Sequence, residues 1–269
     1  MLIDSHCHLV SYRYQAEEIN SIIERSVEQQ VTQLLSLATE PSEYQAHLDL
    51  ANNYSGVFIG LGIHPCAVHE VSYPHAITEL DTLLAQHNSI KILGETGLDY
   101  YHPSPEGWDD NSYRKCQQNS LVEHFELAKK YHKNIVLHTR DQQGKHSLKD
   151  CLAIYQEYAN DVQAVFHCWS HHADWAKQVW DLGGLISFGG VLTFKKPPLD
   201  AIEVCKQAPA GSFMLETDAP YLAPTPHRGQ RCEPWMTRIT AELVAELRHE
   251  SLAQLASHTT KTAHQFLQL

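Results

Sequence analysis

The sequence predicts an α/β fold of the (β/α)8 type, in which eight parallel strands alternate with helices. Three observations support this class. Eight short apolar runs rich in β-formers recur along the 269 residues, helical patterns separate them, and polar residues interrupt the runs at their C-terminal ends. Runs that are apolar almost throughout suit parallel strands covered on both faces. The alternative, a doubly wound open sheet, often carries a glycine-rich dinucleotide fingerprint that this sequence lacks.

The order of strands and helices follows from these runs. The predicted strands cover residues 2–5, 33–37, 57–62, 90–94, 134–137, 164–166, 185–188 and 213–216. Helices are predicted over residues 19–31, 111–132, 239–247 and 251–269. In the first helix, apolar residues recur with the spacing of one face as far as Val27 and Val31. Pro234 precedes the third helix, and proline is favoured in the first turn of a helix.

Length and composition predict one domain over residues 1–269. A (β/α)8 barrel of about 250 residues commonly forms a single domain, and no linker-like or low-complexity tract divides this chain. The formal net charge is −12, whereas a protein that coats nucleic acid needs a basic surface to neutralise phosphates. A polyanionic substrate is therefore expected to be held locally, by metals and a few cations.

Cysteine usage and the absence of apolar runs long enough to span a membrane predict a cytoplasmic protein. The seven cysteines include no Cys-x-x-Cys pair, so neither a disulfide framework nor a zinc-finger spacing follows. The segment MLIDSHCHL is too short and too polar for a signal peptide. No apolar run approaches the roughly 18 residues of a membrane span. We expect no membrane association and no obligate protein partner.

Histidines and carboxylates stand at the ends of five predicted strands. Side chains in a strand alternate between faces, so His6 and His8 are expected to point the same way and Cys7 the other way. Active sites of (β/α)8 barrels lie where the C-terminal ends of the strands meet, and crowded imidazoles and carboxylates are costly there without a partner. The pattern therefore predicts a metal site. Its ligands would be His6, His8, Glu95, His138, His167 and Asp218.

The predicted ligands favour one or two divalent ions. Nitrogen and oxygen donors suit Zn, Mn, Fe or Ni, and Mg suits a site rich in imidazoles less well. Each ligand taken alone has a plainer interpretation. A single His-x-His pair, a strand-end histidine or a glutamate in a turn is more often solvated or structural than bound to metal. The metal site is therefore predicted from the six residues together.

Six motifs resemble those of a known family. DSHCHL, GIHP, GETGLDY, HTRD, HCWS and ETDAPYL occur in this order. With them the chain resembles the TatD-type metal-dependent deoxyribonucleases and hydrolases of the amidohydrolase-like barrel superfamily, from Asp4 to about Pro234. The resemblance implies two metals, one held by His6, His8 and Asp218 and the other by His138 and His167, with Glu95 bridging them.

The resemblance also implies phosphodiester cleavage of DNA ends or short single strands. Divalent ions in such sites lower the pKa of water and clamp a phosphate. The predicted catalytic residues are Asp218, as metal ligand and base, and Glu95. His64, Arg140 and Glu216 are predicted to contact the substrate. The plainer alternatives are an ion pair for Arg140 and a structural carboxylate for Glu216.

The chain departs from the family pattern in three loops, and these differences concern the substrate more than the metals. Arg-Cys-Glu-Pro at 231–234 stands where Arg-Asn-Glu-Pro is common, two histidines occupy 171–172, and segment 102–111 is unusually polar. The residues available to steer an anion are Lys195, Lys196, Arg228 and Arg231, for which a solvated loop face is the alternative. Asp4 is expected to orient a ligand imidazole.

Two other functions stay open from sequence. The same metals would suit hydrolysis of a small amide, lactone or other ester. The third possibility is a metal-binding protein without catalytic turnover.

Overall fold

The computed structural model describes residues 1–69, 73–142 and 146–269 and contains the predicted eight-stranded sheet. The strands follow one another in the order β1 to β8, and the strand pairs described are parallel. They are β1 (Leu2–Cys7), β2 (Val31–Leu37), β3 (Val57–Leu61), β4 (Ile90–Asp99), β5 (Asn134–Arg140), β6 (Ala164–Phe166), β7 (Leu185–Phe188) and β8 (Phe213–Leu215). This order and the alternation with helices confirm the (β/α)8 class.

The helices occupy the intervals between the strands and the end of the chain. They are α1 (Ile19–Glu28), α2 (Tyr44–Asn53), α3 (Tyr73–Gln86), α4 (Asp110–Lys130), α5 (His146–Tyr158), α6 (Ala173–Asp181), α7 (Leu199–Gln207), α8 (Thr237–Leu247) and α9 (Leu252–Leu267). Ser251 caps α9 by accepting from the backbone of Gln254. Within the described ranges, these helices are each too short or too polar to cross a membrane.

The four predicted helices are confirmed as α1, α4, α8 and α9, but the first was predicted too long. The helix ends at Glu28, and Gln30 follows with a φ of 63°, outside the helical region. Val27 is 51% exposed, and Val31 is the first residue of β2 rather than the last of a helix. Apolar spacing alone did not separate the end of this helix from the start of the strand.

The chain forms two compact units. Unit 1 comprises Met1–Ser36, Tyr54–Phe58 and His167–Leu269, and unit 2 comprises Leu37–Asn53 and Ile59–Phe166. In unit 1, β1 pairs with β2, β7 pairs with β8, and a parallel bridge joins Cys7 to Ala219. In unit 2, β4 pairs with β3 and β5, and β5 pairs with β6. A single domain over residues 1–269 stays a prediction.

Strand β4 is five residues longer than the predicted 90–94 and carries polar side chains inside the sheet. Its last four residues pair with His138, Thr139 and their neighbours in β5. Gly97 makes this pairing possible because it has a φ of 143°, and a Cβ atom there would lie 2.1 Å from the carbonyl oxygen of His138. The extension places Glu95 and Asp99 within a strand, at positions that share one face.

A glycine substitution tests this close approach. Gly97→Ala is expected to lower the free energy of unfolding by about 3 kcal/mol or more, because backbone strain and steric overlap add. Gly107→Ala is the matched control, since Gly107 also has a positive φ (85°) but nothing lies within 4 Å of its added Cβ. We expect a loss of about 1 kcal/mol for the control. Urea denaturation measures both, and equal losses would contradict the contact with β5.

Candidate metal centre

In unit 1, three donor atoms converge at the end of β1. The Nε2 atoms of His6 and His8 lie 3.2 Å apart. The Oδ1 atom of Asp218 lies 3.6 Å from Nε2 of His6 and 3.4 Å from Nε2 of His8. An ion with ligand distances of about 2.0–2.2 Å needs donor atoms roughly 3–3.6 Å apart. The spacing in the structure therefore fits one divalent ion.

Strand geometry and backbone hydrogen bonds produce this convergence. His6 and His8 lie on one face, and the Cys7 thiol lies on the other, where it donates to the carbonyl of Leu35 at 3.4 Å. The N–H of Asp218 donates to the carbonyl of His6 at 2.9 Å, and the N–H of His8 donates to the carbonyl of Ala219 at 2.7 Å. These two bonds fasten the segment after β8 along the end of β1. The opposite direction of the Cys7 thiol confirms the predicted alternation of side chains in β1.

The buried side chain of Asp4 also joins the end of β1 to the segment after β8. Its Oδ1 atom accepts from the N–H groups of His6 at 3.2 Å and Thr217 at 3.0 Å, and the Thr217 hydroxyl donates to Oδ2 at 2.6 Å. Burial raises the pKa of Asp4 to about 8, against the opposing effect of the Thr217 hydrogen bonds. From the sequence, Asp4 was expected to orient a ligand imidazole. In the structure, these hydrogen bonds of Asp4 instead position the backbone segments that carry the ligands.

The carboxylate of Asp218 is poised to bind a cation. Burial alone would raise its pKa, but the hydrogen bond with His8 and the charges of His6 and His167 together hold the pKa below its ordinary value. Asp218 also has a φ of 64°, a left-handed conformation that aspartate and asparagine tolerate better than most residues. The side chain is therefore ionised in a fixed, unusual backbone position.

His167 joins this group from the end of β6. Its ring stacks on that of His6 with 3.9 Å between centroids. The Nδ1 atom lies 3.5 Å from Oε1 of Glu216. Because Nδ1 faces this carboxylate, Nε2 is the nitrogen that would bind an ion. Glu216 is fully buried, accepts from the N–H of Cys168 at 2.8 Å and accepts from the Ser187 hydroxyl. These contacts suit a residue that positions His167, and contact of Glu216 with substrate stays a prediction.

Unit 2 contains the second group, around His138 in β5. Nδ1 of His138 lies 3.0 Å from Oε1 of Glu95, and Nε2 lies 3.1 Å from Oδ2 of Asp99. Nε2 of His64 lies 3.7 Å from the same oxygen of Glu95. An imidazole with a carboxylate on its far nitrogen is the usual arrangement of a metal-bound histidine. Glu95 and His138 thus form a donor pair for an ion, with Asp99 holding the histidine.

Asp99 is a site residue that the sequence prediction missed. Because β4 was predicted to end at Gly94, Asp99 lay outside the predicted strand. In the structure its side chain is buried and faces both His138 and His102. Burial acts to raise its pKa, but the hydrogen bonds with the two histidines lower the pKa well below its ordinary value. The alternation of Glu95, Gly97 and Asp99 in GETGLD is the signal that would have revealed it.

His64 was predicted to contact the substrate. In the structure it lies beside the candidate ligands of unit 2. Its ring meets that of His138 edge-on with 4.5 Å between centroids, and its Nδ1 atom accepts from the N–H of Cys66 at 3.1 Å. Donor atoms of His64, Glu95 and His138 all lie within 4.8 Å of one another. His64 is therefore a further candidate ligand, and its contact with substrate stays a prediction.

The backbone before His64 is fixed by a buried histidine of α4. His124 accepts from the N–H of Ile63 through Nε2 at 3.1 Å, and Nδ1 lies 2.7 Å from the carbonyl of Ser120. Burial lowers the pKa of His124 to about 4, although the bond to Ser120 acts in the opposite direction. His124 is thus neutral in the folded protein at neutral pH.

The predicted cations are partly engaged with neighbours. Arg231 forms a two-pronged ion pair with Glu18, at 2.8 and 3.1 Å. The guanidinium of Arg228 lies over the ring of Phe194 at 3.8 Å, and that of Arg140 lies over the ring of Tyr101 at 4.2 Å. Lys195 and Lys196 are exposed. The positive charge of Arg231 is therefore largely compensated by Glu18. The aromatic rings beside Arg140 and Arg228 carry no compensating negative charge.

The ligand groups have the chemistry that a divalent ion requires. Their donors are imidazole nitrogens and carboxylate oxygens, they are buried or half-buried, and carboxylates hold His138 and His167 in place. Unit 1 brings together four predicted ligands, and unit 2 brings together the other two; that all six share one site stays a prediction. A (β/α)8 fold with such groups at its strand ends defines a metal-dependent hydrolase.

Comparison with known proteins identifies the family. The chain matches the family model described as TatD related DNase over residues 3–268. It therefore belongs to the TatD family, which confirms the resemblance carried by the six motifs.

Relatives with similar sequences and structures agree with this assignment. The metal-dependent hydrolase YcfH of Escherichia coli K12 is 33% identical over 262 residues, covering 96% of this chain and 92% of YcfH. The YabD hydrolase of Bacillus subtilis is 29% identical with full coverage of both chains. The crystal structure of YJJV, a TatD homologue from Escherichia coli K12, superposes with a TM-score of 0.88 at 25% identity, covering 100% of this chain and 98% of YJJV.

Acid should destabilise the protein through His124. The unfolded side chain titrates near 6.5 and the folded one near 4, so between these values the unfolded state binds the extra proton and stability falls as pH falls. The loss reaches up to about 3 kcal/mol across this window. Unfolding free energies of wild type and His124→Gln, measured from pH 7 to 4, should differ by a pH-dependent amount. His75→Gln, at an exposed histidine, is the control; parallel curves for wild type and His124→Gln would contradict the assignment.

Proposed function

We propose that this metal-dependent hydrolase is a phosphodiesterase of the deoxyribonuclease type that acts on DNA ends or short single strands. The observation that carries the proposal is the convergence of His6, His8 and an ionised Asp218 at the spacing of one divalent ion. The family description, TatD related DNase, supplies the substrate class.

The proposed ligands are the six residues predicted from sequence, with one or two ions of Zn, Mn, Mg, Ni or Fe. As the resemblance implies, His6, His8 and Asp218 would hold one ion, and Glu95, His138 and His167 would hold a second. Bound divalent ions supply positive charge that lowers the pKa of water and neutralises a phosphate.

The protein's own residues supply the proton transfer and the orientation. Asp218 is the base: its depressed pKa keeps the carboxylate ionised, so it accepts the proton of the attacking water. Glu216 and Asp99 hold His167 and His138 in fixed orientations through their ring nitrogens. Fixed ligands keep the reacting groups in place and so reduce the reorganisation needed in the transition state.

Substrate contacts are proposed to be few and local. Arg140, Arg228, Lys195 and Lys196 are the cations assigned to the phosphates, and His64 approaches the phosphate next to Glu95. Arg231 is left out because Glu18 compensates its charge. The net charge of −12 argues against a long basic track for nucleic acid. A cytoplasmic location is also part of the proposal, because the spacing of the seven cysteines indicates no disulfide framework.

Replacing the proposed base tests the mechanism. Asp218→Asn should lower hydrolysis of single-stranded DNA and of bis(p-nitrophenyl) phosphate by about 10²- to 10⁴-fold. Asparagine tolerates the left-handed backbone and His6 and His8 remain, so the fold and much of the bound metal should be retained. Activity assays with elemental analysis of the purified variant measure both, and Asp200→Asn, on α7, is the control. Wild-type turnover in Asp218→Asn would show that Asp218 is neither base nor essential ligand.

The salt dependence of single-strand affinity tests whether only a few phosphates are contacted. Single-strand binding loses affinity with a log–log slope of about −0.7 per neutralised phosphate. We expect a slope of roughly −1 to −2, because only two or three of the four proposed cations neutralise a phosphate at one time. Chelation of the metal should remove most of the activity and much of the binding. A steep slope that persists after chelation would contradict the proposal by revealing an extended basic surface.

A substrate panel separates the proposal from its alternatives. Labelled single strands with a blocked 3′ or 5′ end, small phosphodiesters, lactones and amides are offered to the metal-loaded enzyme. The proposal expects cleavage of the diesters, with the strand ends attacked first. Fast lactone or amide hydrolysis without any diester cleavage would establish a small-molecule hydrolase. Metal binding without turnover of any substrate would establish a metal-binding protein.

A further inference from the structure

Unit 2 contains another cluster of potential ligands, formed by Cys66, Asp99 and His102. Cys66 lies in the short turn after β3, Asp99 ends β4, and His102 follows in the polar segment singled out in the sequence. The Cys66 sulfur lies 3.6 Å from Nδ1 of His102, and the same nitrogen lies 2.9 Å from Oδ2 of Asp99. The three donor atoms all lie within 4.8 Å of one another.

The carboxylate at the centre of this cluster is held rigidly. Oδ1 of Asp99 accepts from the N–H groups of Tyr101 at 2.9 Å and His102 at 3.0 Å, which turns the chain and brings the His102 ring over Oδ2. The backbone of Asp99 exchanges two hydrogen bonds with the side-chain amide of Gln117, at 2.9 and 3.0 Å. The ligands are therefore arranged before any ion binds, which limits the ordering that binding requires.

The separations match those around a tetrahedral ion. With Zn–S near 2.3 Å and Zn–N near 2.0–2.1 Å, sulfur and nitrogen lie about 3.5 Å apart, close to the distance between Cys66 and His102. Nitrogen and carboxylate oxygen lie about 3.3 Å apart in such a site, so the contact of His102 with Asp99 must open by about 0.4 Å. The His102 side chain is 48% exposed, so an ion can enter from solvent and keep a water as its fourth ligand.

We propose that Cys66, Asp99 and His102 bind an additional divalent ion of the zinc class, at a site separate from the six predicted ligands. A sulfur donor favours Zn, Co or Cd over Mg or Mn. The nitrogen and oxygen donors of the other groups accept a wider range of ions, so the cluster differs from them in selectivity. Only Asp99 is shared with the machinery described above, because Oδ2 also holds Nε2 of His138 at 3.1 Å.

Cobalt substitution tests the site directly, because a thiolate bound to Co²⁺ gives a near-ultraviolet charge-transfer band that imidazole and carboxylate ligands do not give. Titration of the metal-free full-length protein with Co²⁺ alone should produce this band in wild type. Cys66→Ser should abolish the band and bind one cobalt fewer per chain. His102→Gln should shift the band's appearance to higher cobalt concentrations, by about tenfold or more in apparent affinity.

Two matched variants exclude other thiols. Cys116→Ser, at another half-buried cysteine, and Cys168→Ser, next to His167, should both keep the band. A circular-dichroism spectrum and an unfolding midpoint equal to those of wild type show that Cys66→Ser is folded. The proposal is overturned if cobalt-saturated wild type lacks the band, or if the band survives in Cys66→Ser. None of these readouts depends on the reaction that the enzyme catalyses.

Discussion

The fastening of the segment after β8 to the end of β1 is the constraint on which the unit 1 ligand group depends. Two backbone hydrogen bonds join Asp218 and Ala219 to His6 and His8, and the buried carboxyl of Asp4 joins Thr217 to the same strand. Without them, Asp218 would be a loop residue with no fixed relation to the two imidazoles. Burying Asp4 carries a desolvation cost, visible as its raised pKa, which the hydrogen bonds to Thr217 partly offset.

Both ligand groups use the same device to orient imidazoles. A buried carboxylate faces the ring nitrogen that does not point at the other ligands: Glu216 does so for His167, and Asp99 does so for His138. Such partners fix the ring and raise its basicity. The acidic residues of the site therefore divide into ligands, which would meet the ion, and holders, which set the direction of the ligands.

Much of this arrangement could be predicted from the sequence because it depends on local periodicity. The alternation of His6, Cys7 and His8 is a property of any strand, and the strand order follows from the alternation of apolar runs and helices. The role of Asp99 could not be predicted in this way. It depends on β4 continuing through Gly94 and Gly97, which the apolar pattern does not mark, since glycine and acidic residues are poor strand formers. Pairing with β5 overrides that local preference.

Residues defined by long-range partners were also beyond sequence reasoning. Arg231 was a candidate for anion binding until the structure placed it against Glu18, more than 200 positions away. The contacts of Glu216 with Cys168 and Ser187, which give it a buried position, could not be predicted either, and its contact with substrate stays a prediction. Val27 followed the helical spacing but lies on the outside of α1. In each case the tertiary structure supplies information that the local sequence does not carry.

The wide separation of His6 and Asp218 along the chain has a consequence for biosynthesis. A backbone hydrogen bond joins these two residues, which are more than 200 positions apart, so the unit 1 ligand group cannot assemble until most of the chain has left the ribosome. A nascent or prematurely terminated chain would carry His6 and His8 without their carboxylate. The hydrolase would therefore lack this ligand group until the segment that carries Asp218 has been synthesised.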